Sequence, residues 1–287
     1  MARGGHRCGG GIDVTFAPQP GQGRHEPVFN IPAVIVAIVC LLFAVEALRQ
    51  TLSASNDLAL VKALAFVPAR VTAWFAMDDV VEHLKALAST GEEGARAAIA
   101  GSFFIGDGEL KPWTALTYAA LHGGWAHVGV NSLWLIAFGS PVARRIGVAR
   151  FLALFAICAL AGAFAHFVTN MYDATPVVGA SASVSGAMGA ATRFVFQPGA
   201  ALGQTMAPTA DPHAAPALPL SRLVSDRRVT AFLIVWFVMN FVFGSFAAPL
   251  GLSDAPIAWE AHVGGFLTGL LLFALFDPDR APRLPDA

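Results

Sequence analysis

Val178-Gly179-Ala180-Ser181-Ala182-Ser183-Val184-Ser185-Gly186-Ala187-Met188-Gly189-Ala190 is a run of small residues that opens an apolar segment. Two readings fit it. As a helix face, its Gly, Ala and Ser residues let neighbouring helices approach closely in lipid. As a sharp entry into a helix, it presents one serine as a nucleophile, with backbone N–H groups beside it that have no intrahelical partner. The stretch alone favours packing, because small-residue clusters are common in membrane helices. The rest of the chain has to decide.

The composition sets the solvent. Of 287 residues, 56% are hydrophobic and 13% charged, against about 25% charged in an ordinary soluble domain. This is the composition of an all-α, polytopic membrane protein. The 18 Lys and Arg balance 19 Asp and Glu, so no basic surplus points to nucleic acid. Cys8, Cys40 and Cys158 are far apart and offer neither zinc spacing nor a disulfide framework. No metal or cofactor is implied. Residues 1–30 are polar and lack the charged, apolar and cleavage regions of a signal peptide. They read as a cytoplasmic segment ahead of a retained first span.

Six spans follow. The first covers 31–45 and can continue past Glu46 to Leu48. Residues 49–112 form a long loop with most of the acids, in which 58–66 and 80–88 are amphipathic and read as interfacial helices. Residues 113–139 carry the second span, stopped by Pro141, and 151–170 the third. The opening stretch starts the fourth, which runs to about Arg193. Residues 197–228 form a Pro- and Ala-rich loop, 229–250 the fifth span and 257–276 the sixth; 277–287 is a short tail. Orientation follows Lys and Arg placement. Cytoplasmic termini put Arg144, Arg145, Arg150, Arg193 and the arginines of 222–228 inside. The short outer loops, 173–178 and 248–256, have no Lys or Arg. The expected location is a bacterial-type plasma membrane.

Polar groups at membrane depth are costly and mark function. At 1.5 Å per residue, Ser181 stands roughly 18 Å above Arg193, His262 about 22 Å above Asp277, and His127 about 20 Å above Ser140. Three helices thus place Ser, His and His in one layer. A serine hydroxyl needs a base in reach, and neutral imidazole suits that at pH 7. His127 and Asn131, four residues apart, share a helix face. They would supply oxyanion donors beside the Ser181 N–H, and Gly179 allows the turn before it. Ser185-Gly186 also reads as a Ser-Gly pair, one turn deeper and about 6 Å away. Ser181 is preferred, because Gly179 precedes it at the turn position where Ser183 precedes Ser185. Ser185 then lines the site.

These residues resemble the rhomboid family of intramembrane serine proteases. The second span has His122-Gly123-Gly124-Trp125-Ala126-His127-Val128-Gly129-Val130-Asn131, similar to the family's His-x-x-x-Asn element. The fourth has Gly179-Ala180-Ser181-Ala182, similar to Gly-x-Ser-Gly. The sixth has Ala261-His262-Val263-Gly264-Gly265-Phe266-Leu267-Thr268-Gly269, similar to Ala-His-x-x-Gly-x-x-x-Gly. The resemblance covers roughly 112–276 and, more loosely, the first span. It implies a six-helix bundle, a Ser181–His262 dyad without a catalytic acid, and hydrolysis of peptide bonds in or near transmembrane helices of protein substrates. Ala182 stands where the family has Gly, and its methyl is expected to crowd the fourth and sixth helices near Gly265.

Other polar groups have structural readings. His166 stands alone near the outer end of the third span and reads as interfacial or hydrogen-bonded, Asn240 is an interhelical contact, and His122 is structural. Glu260 lies on a different helix face from His262 and is a poor orienting acid. Gly265 and Gly269 are packing residues. Two other functions compete: an inactive rhomboid-like protein that binds membrane helices, and a transporter with a broken fourth helix.

Overall fold

The computed structural model describes residues 31–197, 217–246 and 257–278. The polar segment 1–30, most of the 197–228 loop, the outer loop 248–256 and nearly all of the tail lie outside them. The described residues are helical almost throughout, apart from an isolated antiparallel bridge between Phe66 and Val177.

Helix α1 (Ala33–Thr51) runs behind Pro32 and past Glu46. Three helices then fill the connection to the next apolar segment: α2 (Ala54–Leu64), α3 (Pro68–Ala88) and α4 (Glu92–Ile105). Ser53 caps α2 by accepting the Asn56 N–H at 3.4 Å. The sequence points to two short helices here; α3 is longer than either because Pro68 sits in its first turn and its apolar face continues across a kink at Ala76. α4 has no clear signal in the sequence because Gly94 and Gly101 lower its helix propensity. Gly101 is there for contact, since a Cβ on it would fall 2.8 Å from that of Ala174.

The expected second span is divided. α5 (Thr114–Thr117) and a 3-10 turn (Tyr118–Ala120) end at Leu121, and Gly124 at φ 132° turns the chain into α6 (Trp125–Trp134). α6 runs on through a π turn (Leu135–Gly139) into α7 (Ser140–Ile146). Pro141 therefore does not stop the helix. It occupies the first turn of α7, and the wider π turn before it accommodates its ring and missing donor.

The remaining helices are α8 (Val148–Thr169), α9 (Ser181–Thr192), α10 (Leu220–Leu223), α11 (Arg227–Phe246) and α12 (Trp259–Phe276). By length and composition α1, α8, α11 and α12 are apolar enough to cross a membrane. α9 is only 12 residues long, and every residue from Ala182 to Thr192 is buried. It is the axis on which α8 and α12 pack.

Absent side chains make that packing possible. A Cβ on Gly265 of α12 would lie 2.0 Å from the Ala182 carbonyl, one on Gly269 1.9 Å from the Gly186 carbonyl, and one on Gly189 2.2 Å from the Phe266 carbonyl. Backbones meet here without intervening side chains, the contact that dispersion rewards in lipid. At the far end of α12, Asp277 accepts from Arg145 of α7 at 3.0 and 2.9 Å. The guanidinium also lies over the rings of Phe194 and Phe273. The Arg193 Nη1–H donates to the Leu270 carbonyl at 2.9 Å. That end is therefore locked by buried charge, and the Ser181 end by backbone turns.

Candidate active site

α9 begins with an abrupt turn. Gly179 has φ 128°, in the region that favours glycine, and a Cβ there would fall 2.9 Å from His127 Nε2. Its N–H donates to the Tyr118 carbonyl at 3.0 Å, and the next N–H, that of Ala180, donates to His122 Nε2 at 3.4 Å. The Tyr118 hydroxyl in turn donates to the Ala159 carbonyl at 2.8 Å. His122 is held from behind by Arg49, which donates to its carbonyl and pairs with Asp57 at 2.7 Å. His122 is thus structural, as its sequence position indicates, and its role is specific, because it satisfies a backbone donor of the turn.

Ser181 is the first residue of α9, so its N–H has no intrahelical acceptor. Its Oγ lies 2.8 Å from His262 Nε2, one turn into α12. His262 Nδ1 lies 2.7 Å from Asn240 Oδ1 on α11, and Asn240 Nδ2–H donates to the Trp259 carbonyl at 3.1 Å. Three helices thus converge on one imidazole.

His127 closes the other flank. Its Nδ1 accepts the Gly123 N–H at 3.2 Å. A nitrogen that accepts carries no proton, so the neutral ring carries its proton on Nε2, and this atom and the Ser181 hydroxyl flank the space that a Gly179 Cβ would fill, at 2.9 and 3.6 Å from it. Asn131 is turned differently. Its amide donates to the His127 carbonyl one turn back, at 3.0 Å, which leaves one amide N–H for another acceptor. Ser181, His262 and His127 are gathered at one point, whereas Asn131 is engaged on its own helix.

The other serines of the stretch have different surroundings. Ser183 Oγ–H donates to the Phe155 carbonyl at 2.7 Å, and Ser185 is buried one turn below the Ser181–His262 bond. Glu260 lies 3.2 Å from His166 Nδ1, so it ties α12 to α8 and faces away from His262. His166 takes the hydrogen-bonded reading: Glu260 and Asn170 both meet its Nδ1. The Ala182 methyl does not crowd α12. It points at α8, where Gly162 leaves room; a Cβ on Gly162 would be 2.4 Å from it. The α9–α12 contact is made by the Ala182 carbonyl instead.

Asn240 does more than its sequence reading allows. It does bridge helices, but onto the imidazole. A signal for this exists in the sequence: thirteen residues above Arg227, it stands about 20 Å up, in the layer of His262. Among the described residues no group of three or more His, Cys, Asp or Glu side chains is placed to hold a metal. A hydroxyl bonded to an oriented imidazole, beside a helix N-terminus and an N–H donor, is a constellation suited to acyl transfer.

The sequence is similar to that of known proteins. The rhomboid-domain family model matches residues 109–278. Rhomboid protease GluP of Bacillus subtilis (strain 168) is 38% identical over 162 residues, which are 56% of this chain and 25% of that protein. YdcA of the same bacterium is 34% identical over 77 residues, 27% of this chain and 38% of that one. The matches span well under two thirds of either relative. The matched region runs from α5 to the end of α12 and contains every group of the site, and the chain belongs to the rhomboid family.

Proposed function

We propose that this chain is an intramembrane serine endopeptidase that cleaves peptide bonds in or near transmembrane helices of other membrane proteins. The observation that carries the reading is the 2.8 Å hydrogen bond between Ser181 Oγ and His262 Nε2. Ser181 Oγ attacks the scissile carbonyl carbon as its proton passes to His262 Nε2. The tetrahedral oxyanion is met by the Ser181 N–H at the positive end of α9 and by His127 Nε2–H. Asn131 joins once its amide turns from the His127 carbonyl. The C–N bond then breaks, and His262 returns the proton to the departing amine. A water, deprotonated by His262, attacks the Ser181 ester; the carboxylic product leaves and Ser181 regains its proton.

In this reading the membrane domain is 31–276, with six crossings: α1, the continuous α6–α7 segment, α8, α9, α11 and α12. The segment 49–112 with α2, α3 and α4 lies outside, and both termini face the cytoplasm of a bacterial-type plasma membrane. The absence of Lys and Arg from the opposite short loops supports this orientation. Exposed Trp74, Phe75 and Trp113 suit the outer lipid interface.

Reconstitution with a model transmembrane substrate tests the function. The unaltered protein cleaves it, and Ser181→Ala and His262→Ala do not. Ser185→Ala retains activity. Full cleavage by Ser181→Ala contradicts the assignment.

A further inference from the structure

The proposed dyad leaves the proton on the far side of the imidazole unassigned. Asn240 decides it. The Trp259 carbonyl can only accept a hydrogen bond, so the Asn240 group 3.1 Å from it is the amide NH2. Its Oδ1 therefore faces His262, 2.7 Å from Nδ1. An amide oxygen also can only accept, so Nδ1 carries the proton and neutral His262 presents an unprotonated Nε2 to Ser181 Oγ, 2.8 Å away. We infer that Asn240 is a positioning residue that holds His262 in the Nδ1–H tautomer and so makes Nε2 the base. This deepens the protease reading and rests on it.

The chemistry suits the location. A carboxylate would orient the ring too, but a charge at membrane depth is costly. The neutral amide dipole orients the imidazole at no such cost and cannot take its proton. The neighbouring acid is occupied elsewhere, since Glu260 pairs with His166 of α8. The titratable groups that bear on His262 are Ser181, His127, Glu260 and His166.

The local packing is built for this reach. Gly244, one turn beyond Asn240, lies against Trp259, and a Cβ on it would sit 2.5 Å from that of Trp259. Only a bare backbone lets α11 come close enough at this level. Of the residues of α11 only Val229 is buried. Partly exposed aromatics anchor the rest of the helix, with Phe232 against the core and Trp236 stacked on Phe266 at 4.1 Å.

Two variants in the full chain test the inference. Asn240→Leu keeps the size and loses the acceptor. Expected is a roughly 100-fold fall in kcat, the lower end of what a positioned base contributes, with KM within about twofold. The 15N spectrum of labelled histidine then shows His262 losing its single Nδ1–H form. Asn240→Asp keeps the acceptor toward Nδ1, loses the donor to the Trp259 carbonyl and adds charge, so it retains part of the cleavage and moves the acid limb of the kcat/KM–pH profile to higher pH. An unchanged kcat with an unchanged His262 spectrum in Asn240→Leu, or an unmoved acid limb in Asn240→Asp, overturns the inference. The 15N measurement needs no substrate. Failure of the unaltered protein to cleave therefore counts against the protease reading, while the tautomer still decides the role of Asn240.

Discussion

Gly162 and Ala182 divide between them the space of one methyl. Gly162→Ala sets a Cβ 2.4 Å from that of Ala182, and overpacking of this kind costs about 1–3 kcal/mol. Ala182→Gly alone is well tolerated. In the Gly162→Ala background it restores part of the thermal stability, the remainder being the 2.8 Å approach to the Ala261 carbonyl. Strict additivity in that double-mutant cycle refutes the pairing. On the other side of the turn, the proposed mechanism makes His127 an oxyanion donor, so His127→Ala is expected to lower kcat by about 100- to 1,000-fold with little change in KM. The core of the candidate site is legible in the sequence at this scale, because helix rise alone puts Ser181, His262 and His127 in one layer. The partner of Ala182 is not, because a sequence pattern names a face without naming what lies opposite. The orientation of Asn131 is hidden for a related reason: i,i+4 spacing puts it near His127, but its amide gives one proton to the backbone between them.

At the scale of elements, α12 and α9 meet through glycine, and the Ser181–His262 hydrogen bond of the proposed dyad depends on that contact. Gly265→Ala puts a Cβ 2.0 Å from the Ala182 carbonyl, less than one turn of helix from His262. The helices must part, and the 2.8 Å Ser181–His262 bond then stretches beyond the roughly 3.0 Å limit of a good O–H to N contact. The expected outcome is loss of active-site labelling by a fluorophosphonate in chain that remains folded by circular dichroism. Gly129→Ala on α6 is the control. Nothing lies within 4 Å of its added Cβ, so labelling persists and the helix gains up to about 1 kcal/mol. The apolar helices α1, α8, α11 and α12 are readable from hydropathy. The continuity of α6 and α7 past Pro141 is not, because a π turn is a property of the backbone that leaves no residue signature. α4 escapes a propensity reading because its glycines lower that propensity and serve tertiary contact instead.

Over the whole molecule, chemistry and anchorage occupy opposite ends. His262 is fifteen residues, about 22 Å, from Asp277 along α12. Asp277→Ala removes the carboxylate that accepts from Arg145, whose side chain is fully buried, and breaking a buried ion pair costs up to about 3–5 kcal/mol. The thermal midpoint should fall sharply while the labelling rate well below it holds; a fall in that rate with the midpoint intact contradicts the division. Arg145 and Arg193 count as loop charges when orientation is read from the sequence, yet both are buried at the helix ends. They mark the same side, but as structural locks. The central claim is that Ser181, activated by His262, is the nucleophile. Its most direct test is the site of covalent modification in reconstituted protein treated with a fluorophosphonate and mapped by peptide mass spectrometry. The account predicts an adduct on Ser181 that is absent in Ser181→Ala and strongly slowed in His262→Ala. An adduct on Ser185, or modification of Ser181 that proceeds at full rate without His262, would contradict it.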